Sequence, residues 1–296
     1  MTDLPAQKRI NADAIASEVD ANLLRTASAL RERYKIVPRI VEVAHGDEDF
    51  DIPENYIGDS TKRARAVGID YEIESVGTSP RKLSDRMAIL SSDPSVHGIR
   101  VSGWRLQRGE ETYEFGELAP AKDIDCRTSH RLLEELQGGS MCTEPSVGAI
   151  RRLIRSVITE KPRQETSIAI LGQLHEPVMQ ILVANNYFGT VIKSESIRSE
   201  NIDLVRSVDV IVTSLGPDNR YLGQGQVIVN RNLRWDSREP PPDLTEAAAL
   251  MRAFATWRSI FTLASRERFM NLLRGIIWRQ GGLRPKDSSE LDRFLR

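Results

Sequence analysis

The chain lacks long apolar runs, and neither sign of charge is in excess. No apolar run approaches the roughly 18 residues that a membrane-spanning helix needs, and the first nine residues have no apolar segment of the kind found in signal peptides. The 41 basic and 42 acidic residues give a formal net charge of −1, which provides no electrostatic reason to bind nucleic acid or an anionic membrane. We therefore expect a cytoplasmic protein with neither kind of partner.

Cysteine is scarce, which excludes a disulfide-stapled fold. Cys126 and Cys142 share no metal or redox spacing, so the sequence favours two free thiols over a disulfide and predicts no metal site. Hydrophobic residues make up 40% and charged residues 28% of the 296 positions, a composition typical of globular proteins. A chain of this length can bury a sizeable core, as one large domain or two of ordinary size.

Strand and helix signals alternate along the first half of the chain. Helical periodicity predicts helices, and apolar alternation predicts strands. The predicted helices are 11–33, 53–67 and 79–90, and the predicted strands are 36–43, 69–76 and 96–101. This alternation indicates a parallel sheet covered by helices.

The second half repeats the alternation with shorter, more apolar strands. The predicted helices are 146–158, 177–184, 202–206, 244–254 and 263–278, and the predicted strands are 167–171, 190–192, 208–213 and 227–229. This pattern is typical of a doubly wound nucleotide-binding fold. We predict an α/β protein with domains at 1–145, completed by helix 263–280, and at 146–262, followed by a loose tail at 281–296.

Several short motifs occur in an order that resembles one known family. They are Tyr56 with Lys62 and Gly68, His97-Gly98-Ile99-Arg100-Val101, Lys122-Asp123-Ile124-Asp125, Cys142-Thr143-Glu144-Pro145, and Val208-Asp209-Val210-Ile211-Val212 followed by Gly216. In this order the chain resembles the bifunctional methylenetetrahydrofolate dehydrogenase/cyclohydrolase family, from about residue 10 to about residue 275. The resemblance implies an N-terminal folate-type domain, a C-terminal Rossmann-like domain of NAD(P) type, and a homodimer formed through the nucleotide domain's sheet edge.

The resemblance also implies a folate site in the first domain. Tyr56 would cover the face of the pterin, and Asp125 would accept hydrogen bonds from its amino-pyrimidine edge as a catalytic and substrate-binding residue. Ser102 and Lys122 are the other predicted substrate-binding residues. Other interpretations stay open: Tyr56 as a helix residue packed over the sheet, Asp125 as a turn aspartate, and Lys122 with Asp123 as a surface ion pair.

The chain departs from the family at positions that carry the chemistry. Ser60 stands where the resemblance places a catalytic lysine, and serine cannot serve as a cationic acid–base group. Ser102 stands near the place of a glutamine, and residues 255–261 replace a glycine-rich loop that closes over folate. Cys126, directly after Asp125, could be a nucleophile, although nothing in the sequence lowers the pKa of its thiol.

The predicted dinucleotide turn is also reduced. Its candidate cofactor-binding residues are Gly172, Gln173, His175 and Gly216. The turn is about three residues shorter than the family's turn and lacks its arginine, and Glu176 puts negative charge where a phosphate would lie. The sequence therefore argues against NADP and leaves NAD doubtful.

Three functional hypotheses follow from the resemblance and the departures. The first is a tetrahydrofolate-dependent one-carbon enzyme that transfers or releases the carbon unit without redox chemistry. The second is an active NAD(P)-dependent dehydrogenase/cyclohydrolase with an unusual active site. The third is a catalytically silent subunit for binding or assembly.

Overall fold

A computed structural model provides the structure of the protein. It describes residues 9–46, 54–102, 117–137, 142–172, 188–194, 201–215, 222–230 and 252–280. Of residues 54–59, 163 and 257 it describes the backbone.

The described helices and strands alternate through most of the chain. The helices are α1 (Ala12–Tyr34), α2 (Glu54–Ala66), α3 (Pro80–Ser92), α4 (Ser129–Leu136), α5 (Pro145–Arg155), α6 (Ile202–Arg206) and α7 (Trp257–Arg279). The strands are β1 (Arg39–Ala44), β2 (Asp70–Ser75), β3 (Gly98–Ser102), β4 (Ser167–Leu171), β5 (Thr190–Ser194), β6 (Val210–Thr213), β7 (Val227–Asn230) and β8 (Ala253–Ala255). Short 3-10 turns lie at Pro120–Lys122 and Arg163–Glu165.

The chain forms two compact units. The first, called here the folate-type unit, comprises 18–144 and 266–296, and the second, the nucleotide-type unit, comprises 1–17 and 145–265. The described strands of each unit form a parallel sheet, in the order β2-β1-β3 in the folate-type unit and β5-β4-β6-β7-β8 in the nucleotide-type unit. The predicted α/β fold class therefore agrees with the observed sheets.

Two cores cover the two faces of the folate-type sheet. On one face, β1 and β3 pack with α3, through residues such as Val41, Met87 and Ile99. On the other face, Ile40 and Tyr71 pack with residues of α1, α2 and α7. These faces differ because successive strand residues point to opposite sides of a sheet.

Gly98 lets α7 approach β3 closely. A Cβ atom at this position would lie 2.7 Å from Leu272 Cδ1 and 2.8 Å from Ile124 Cγ2, which is closer than packed carbon atoms come. The absence of a side chain at Gly98 thus brings the last helix down onto the sheet, beside the loop that carries Asp125.

The nucleotide-type sheet is built from short apolar strands. The four residues of β6 and of β7 are all buried, as expected for parallel strands covered on both faces. The predicted helix at 244–254 is wrong at its described end, because Ala253–Ala255 forms β8 and pairs with β7. The backbone of Arg9 forms a parallel bridge to Phe254, and Ile10 N–H donates to the Phe254 carbonyl at 2.8 Å.

Local signals in the sequence fix several helix ends. Ser79 caps α3, accepting from Lys82 N–H at 3.3 Å, and Pro80 occupies the first turn, where its missing N–H costs nothing. Thr128 caps α4 in the same way. Among the helices that the structure describes, none combines the length and apolarity needed to cross a bilayer.

Candidate functional site

Charged side chains interrupt one face of the folate-type sheet. Glu42 of β1 and Arg100 of β3 are register partners, so they lie side by side on the face that also carries Ile40 and Tyr71. The Glu42 side chain is 0% exposed and that of Arg100 is 14% exposed. Burying charged groups is costly unless they are paired, and here each has a partner.

Asp125 is held by two arginines from different elements. Arg268 of α7 donates from Nε to Asp125 Oδ1 at 2.5 Å, and Arg100 Nε lies 3.6 Å from Asp125 Oδ2. The Asp125 side chain is 5% exposed. Its Oδ2 atom is buried and accepts no hydrogen bond from the part of the chain that the structure describes. One carboxylate oxygen therefore has a hydrogen-bond partner, and the other lies at ion-pair distance from Arg100 without a hydrogen bond from the described residues.

The electrostatics keep Asp125 ionised. Burial by itself acts to raise the pKa of this carboxyl, but the guanidinium groups of Arg268, Arg100 and Arg127 outweigh it, and the pKa is lowered below its ordinary value of 3.8. Asp123 behaves oppositely, because burial raises its pKa even though it accepts a hydrogen bond from Thr128 N–H at 2.7 Å. Asp123 is the residue that organises the loop, and Asp125 is the anionic group.

Arg100 also connects Asp125 to the centre of the sheet. Its Nη1 donates to Glu42 Oε2 at 2.9 Å and lies 3.4 Å from the Tyr71 hydroxyl oxygen. The Tyr71 hydroxyl donates to the same Glu42 oxygen, and its ring meets Phe269 edge-on with centroids 6.5 Å apart. We call Tyr71, Glu42, Arg100, Asp125 and Arg268 the arginine–carboxylate network.

The other predicted folate-site residues have different placements. Tyr56 lies on α2, and its side chain is outside the described atoms. Ser60 lies one turn further along α2 and is 8% exposed. Ser102 ends β3 on the face of Arg100, and its carbonyl accepts from His45 N–H at 2.7 Å. Their participation in a site stays a prediction.

Lys122 has a structural role at the end of α3. Its buried ammonium donates to the Leu90 carbonyl at 3.0 Å and the Asp93 carbonyl at 2.6 Å, at the C-terminal end of α3. Lysine satisfies the last carbonyls of a helix in this way. The alternative of a surface ion pair with Asp123 does not hold, because both side chains are buried and have other partners.

The two cysteines lie together in the folate-type unit and are free thiols. Both are buried, and each sulfur lies 3.9 Å from an Asn271 atom. Burial and the neighbouring Cys142 sulfur raise the pKa of Cys126 well above its ordinary value, which opposes a nucleophilic role. Cys126 also has a φ of 53°, a conformation that normally favours glycine.

Only part of the predicted dinucleotide turn is described. Gly172 follows β4 with a φ of 82°, and a Cβ atom there would lie 2.5 Å from Ser214 Oγ. The glycine at this turn is thus required by both its backbone conformation and its close packing. Gln173, His175 and Gly216 lie outside the described residues.

Sequence reasoning missed Glu42, Arg100 and Arg268 as members of the site. A signal was present for two of them, since Glu42 and Arg100 each interrupt an apolar strand where a charged side chain requires a partner. Arg268 gave no signal of its own, because it occupies one of several arginine positions on a long helix.

No family model matches the chain. A search of known protein sequences finds relatives that are named bifunctional FolD proteins. The protein named "Bifunctional protein FolD 1" of Streptomyces avermitilis is 27% identical over 219 residues, covering 69% of this chain and 72% of the relative. "Bifunctional protein FolD" of Pseudothermotoga lettingae is 25% identical over 208 residues, covering 70% and 73% of the two chains.

Solved structures agree with the sequence comparison. The FolD methylenetetrahydrofolate dehydrogenase/cyclohydrolase of Campylobacter jejuni superposes with a TM-score of 0.73 at 16% identity, covering 91% of this chain and 98% of that chain. The bifunctional 5,10-methylenetetrahydrofolate dehydrogenase/cyclohydrolase of Thermoplasma acidophilum gives 0.73 at 18% identity, covering 93% and 100%. At these identities the superpositions establish the fold, and they confirm the predicted α/β class.

Proposed function

We propose that this chain, which is similar to bifunctional FolD proteins in sequence and in fold, is a tetrahydrofolate-dependent one-carbon enzyme. We further propose that it transfers or releases the carbon unit without redox chemistry. The observation that carries the proposal is the buried Asp125 carboxylate, whose Oδ2 accepts no hydrogen bond from the described residues. A pterin presents N–H donors along its amino-pyrimidine edge, and a charge-assisted hydrogen bond to Asp125 would fix that edge.

The geometry supports recognition through a single oxygen. Because Oδ1 accepts from Arg268, a ligand donor has Oδ2 available to it. Tyr56 would cover the heterocycle from α2, and Ser60 and Ser102 would face the one-carbon unit. These roles rest on the resemblance and on the placement of the residues at α2 and at the end of β3.

The proposed chemistry needs a water molecule and a route for one proton. In hydrolytic release, the water oxygen bonds to the carbon of a methenyl bridge and one carbon–nitrogen bond opens. The freed nitrogen takes one of the two water protons, and the other proton passes to solvent. Arginine stays protonated at working pH, so neither Arg100 nor Arg268 can carry that proton. Ser60 would relay it through its hydroxyl, and we expect slower turnover than a titrating lysine would give.

The redox alternative requires a dinucleotide in the nucleotide-type unit. The turn at Gly172 fits the tight glycine corner of such a site. When bound, a nicotinamide dinucleotide would accept a hydride from the one-carbon unit. Two features weigh against a bound dinucleotide: the turn lacks the family's arginine, and Glu176 places a negative charge there. We therefore propose the non-redox activity first.

Three measurements test the proposal. Calorimetry with tetrahydrofolate and methylenetetrahydrofolate should give saturable heat, and hydrolysis of methenyltetrahydrofolate should be accelerated above the uncatalysed rate. Absorbance should stay flat when methylenetetrahydrofolate is mixed with NAD or NADP. Absence of heat with both folates would end the folate proposal, whereas reduction of either dinucleotide would replace it with the dehydrogenase.

Position 60 can be tested with a matched pair. Ser60→Lys introduces an amine, and Ser60→Met introduces a chain of similar length without one. Turnover that rises in the lysine variant and not in the methionine variant would support the assignment of position 60. Equal behaviour of the two variants would argue that this position does not face the one-carbon unit.

One observation favours the silent-subunit alternative. Asp125 already has two internal cationic partners, which is an arrangement that can stabilise a fold without a ligand. Under this alternative, Asp125→Asn would leave the biological role of the protein intact. A loss of that role with normal folding would contradict it.

A further inference from the structure

The arginine–carboxylate network is balanced in charge. Its two guanidinium groups, of Arg100 and Arg268, face the two carboxylates of Glu42 and Asp125 within the folate-type unit. The side chains are between 0% and 19% exposed. A buried ion pair is weak evidence for a contribution to stability, so the position of the network beside the proposed ligand contact favours a functional role.

The two arginines contact different oxygens of Asp125 from different elements. Arg100 is fixed on β3 by its hydrogen bond to Glu42, which the Tyr71 hydroxyl also contacts. Arg268 is fixed on α7, which Gly98 allows to lie close to β3. Both guanidinium groups are therefore anchored on secondary structure, and neither depends on a loop for its position.

This geometry orients the Asp125 carboxylate. Oδ1 accepts from Arg268 at 2.5 Å, whereas Oδ2 faces Arg100 Nε at the longer distance of 3.6 Å. The short contact fixes one oxygen, and rotation of the carboxylate would break it. A bound donor therefore meets Oδ2.

We infer that Arg268 and Arg100 are positioning residues for ligand recognition, which hold Asp125 as a fixed carboxylate whose Oδ2 receives the donor edge of the folate. The inference rests on the proposed folate function. Under this inference, the arginines on β3 and α7 supply the positive charge that Ser60 cannot supply. Because guanidinium groups do not titrate in the working range, the carboxylate keeps its charge and direction over that range.

The charged groups around Asp125 support a pH-independent site. Arg268 on α7, Arg100 on β3 and Arg127 in the following loop favour the ionised form, and burial opposes it. Asp123 is the acidic neighbour, and its pKa is raised in part by Asp125. The effect of the arginines exceeds that of burial, and the pKa of Asp125 is lowered. The carboxylate is therefore charged throughout the neutral range.

The test replaces Arg268 and uses Arg266 as its matched control. Arg268→Met removes both charge and donor, Arg268→Gln keeps a donor without charge, and Arg268→Lys keeps the charge. Arg266 lies on the same helix but pairs with Asp20 at 2.8 Å, so Arg266→Gln removes an ion pair of α7 that does not involve Asp125.

The first readout is the affinity for tetrahydrofolate by calorimetry between pH 6 and pH 8. We expect a flat profile for the wild type and for Arg266→Gln. Arg268→Met should weaken binding roughly tenfold, the equivalent of one pKa unit, with partial recovery in Arg268→Lys. The double variant with Asp125→Asn should bind no worse than Asp125→Asn alone, since the arginine acts through that carboxylate.

The second readout is the carboxyl ¹³C resonance of Asp125, which needs no ligand. It should titrate below 3.8 in the wild type and at higher pH in Arg268→Met. Wild-type affinity in Arg268→Met and Arg268→Gln, or equal losses in Arg266→Gln, would overturn the positioning role. If the wild type binds no folate, the proposed function fails, and the resonance still decides whether Arg268 sets the ionisation of Asp125.

Discussion

At the scale of single residues, His97 illustrates how burial determines charge. It precedes β3, and its Nδ1 accepts a hydrogen bond from Arg39 N–H at 3.2 Å, which requires an unprotonated nitrogen. Burial, followed by the charges of Arg279, Lys122 and Arg39, lowers the pKa of His97 from 6.5 to about 4. This contact gives His97 a structural role.

His97 should make stability depend on pH. Because the pKa is lower in the folded state, the unfolded chain binds the proton first as pH falls below 6.5, and stability declines until pH reaches about 4. Urea midpoints of the wild type and His97→Gln should diverge over this window, with the flatter curve in the variant. The exposed His130, whose side chain is 63% exposed, provides the control, since His130→Gln should retain the wild-type decline.

At position 126, a glycine variant should be more stable than an alanine variant, which is the reverse of the usual order of stability. At a φ of 53° a Cβ atom is strained, so Cys126→Gly should be more stable than Cys126→Ala by about 1 kcal/mol. Both variants lose the same thiol, which isolates the backbone effect. At Cys142, whose φ is not positive, alanine should be the more stable of the two in urea unfolding. The same order at both positions would contradict the strain.

The sequence predicted the anionic residue of the site but not its partners. Asp125 was identified through the motif in which it lies, whereas Arg100 and Arg268 are brought together by the packing of α7 on β3. Their separation in the chain exceeds any local periodicity, and that packing depends on Gly98. Contacts of this kind follow from tertiary structure and carry no local signature.

At the scale of elements, buried strands were predicted more reliably than the short edge strand. Ser167–Leu171 and Val210–Thr213 are each apolar except for one terminal residue, which is what parallel strands covered on both faces require. Ala253–Ala255 follows an alanine-rich stretch with helical propensity, and three residues are too few to display an alternating pattern. Pairing with β7 overrides the local preference there.

Lys122 should stabilise α3 without affecting ligand affinity. Lys122→Met keeps the apolar stem and leaves the carbonyls of Leu90 and Asp93 without their ammonium donor. We expect a loss of about 1–3 kcal/mol in the free energy of unfolding, typical of a buried group deprived of its hydrogen bond, with unchanged affinity for tetrahydrofolate. The exposed Lys82 on the same helix is the control, and Lys82→Met should be neutral. Weakened binding with intact stability would restore Lys122 as a ligand contact.

At the scale of the whole molecule, the folate-type unit is discontinuous in sequence. Its core combines α1 and the first sheet with residues of α7 that lie more than a hundred positions later, including Phe269, Leu272 and Ile276. A large share of its buried apolar surface therefore comes from the end of the chain. The first half cannot form this core by itself.

Truncation should show this dependence. A chain ending at Ser265 lacks the α7 residues of the core, and we expect its folate-type unit to lose cooperative unfolding and ¹H–¹⁵N dispersion. A chain ending at Gln280 keeps every described core residue and should unfold as the full chain does. Native dispersion of the β1–β3 resonances in the shorter chain would contradict the account.

The pairing of Arg9 with Phe254 has a consequence for assembly between copies. Hydrogen bonding from the N-terminal segment already occupies the outer side of β8, and sheet edges are where separate chains add strands to one another. Among the described strands of that sheet, the opposite border is Thr190–Ser194. A dimer that joins two such sheets edge to edge would thus run through β5, with its partner related by a twofold axis beside that strand.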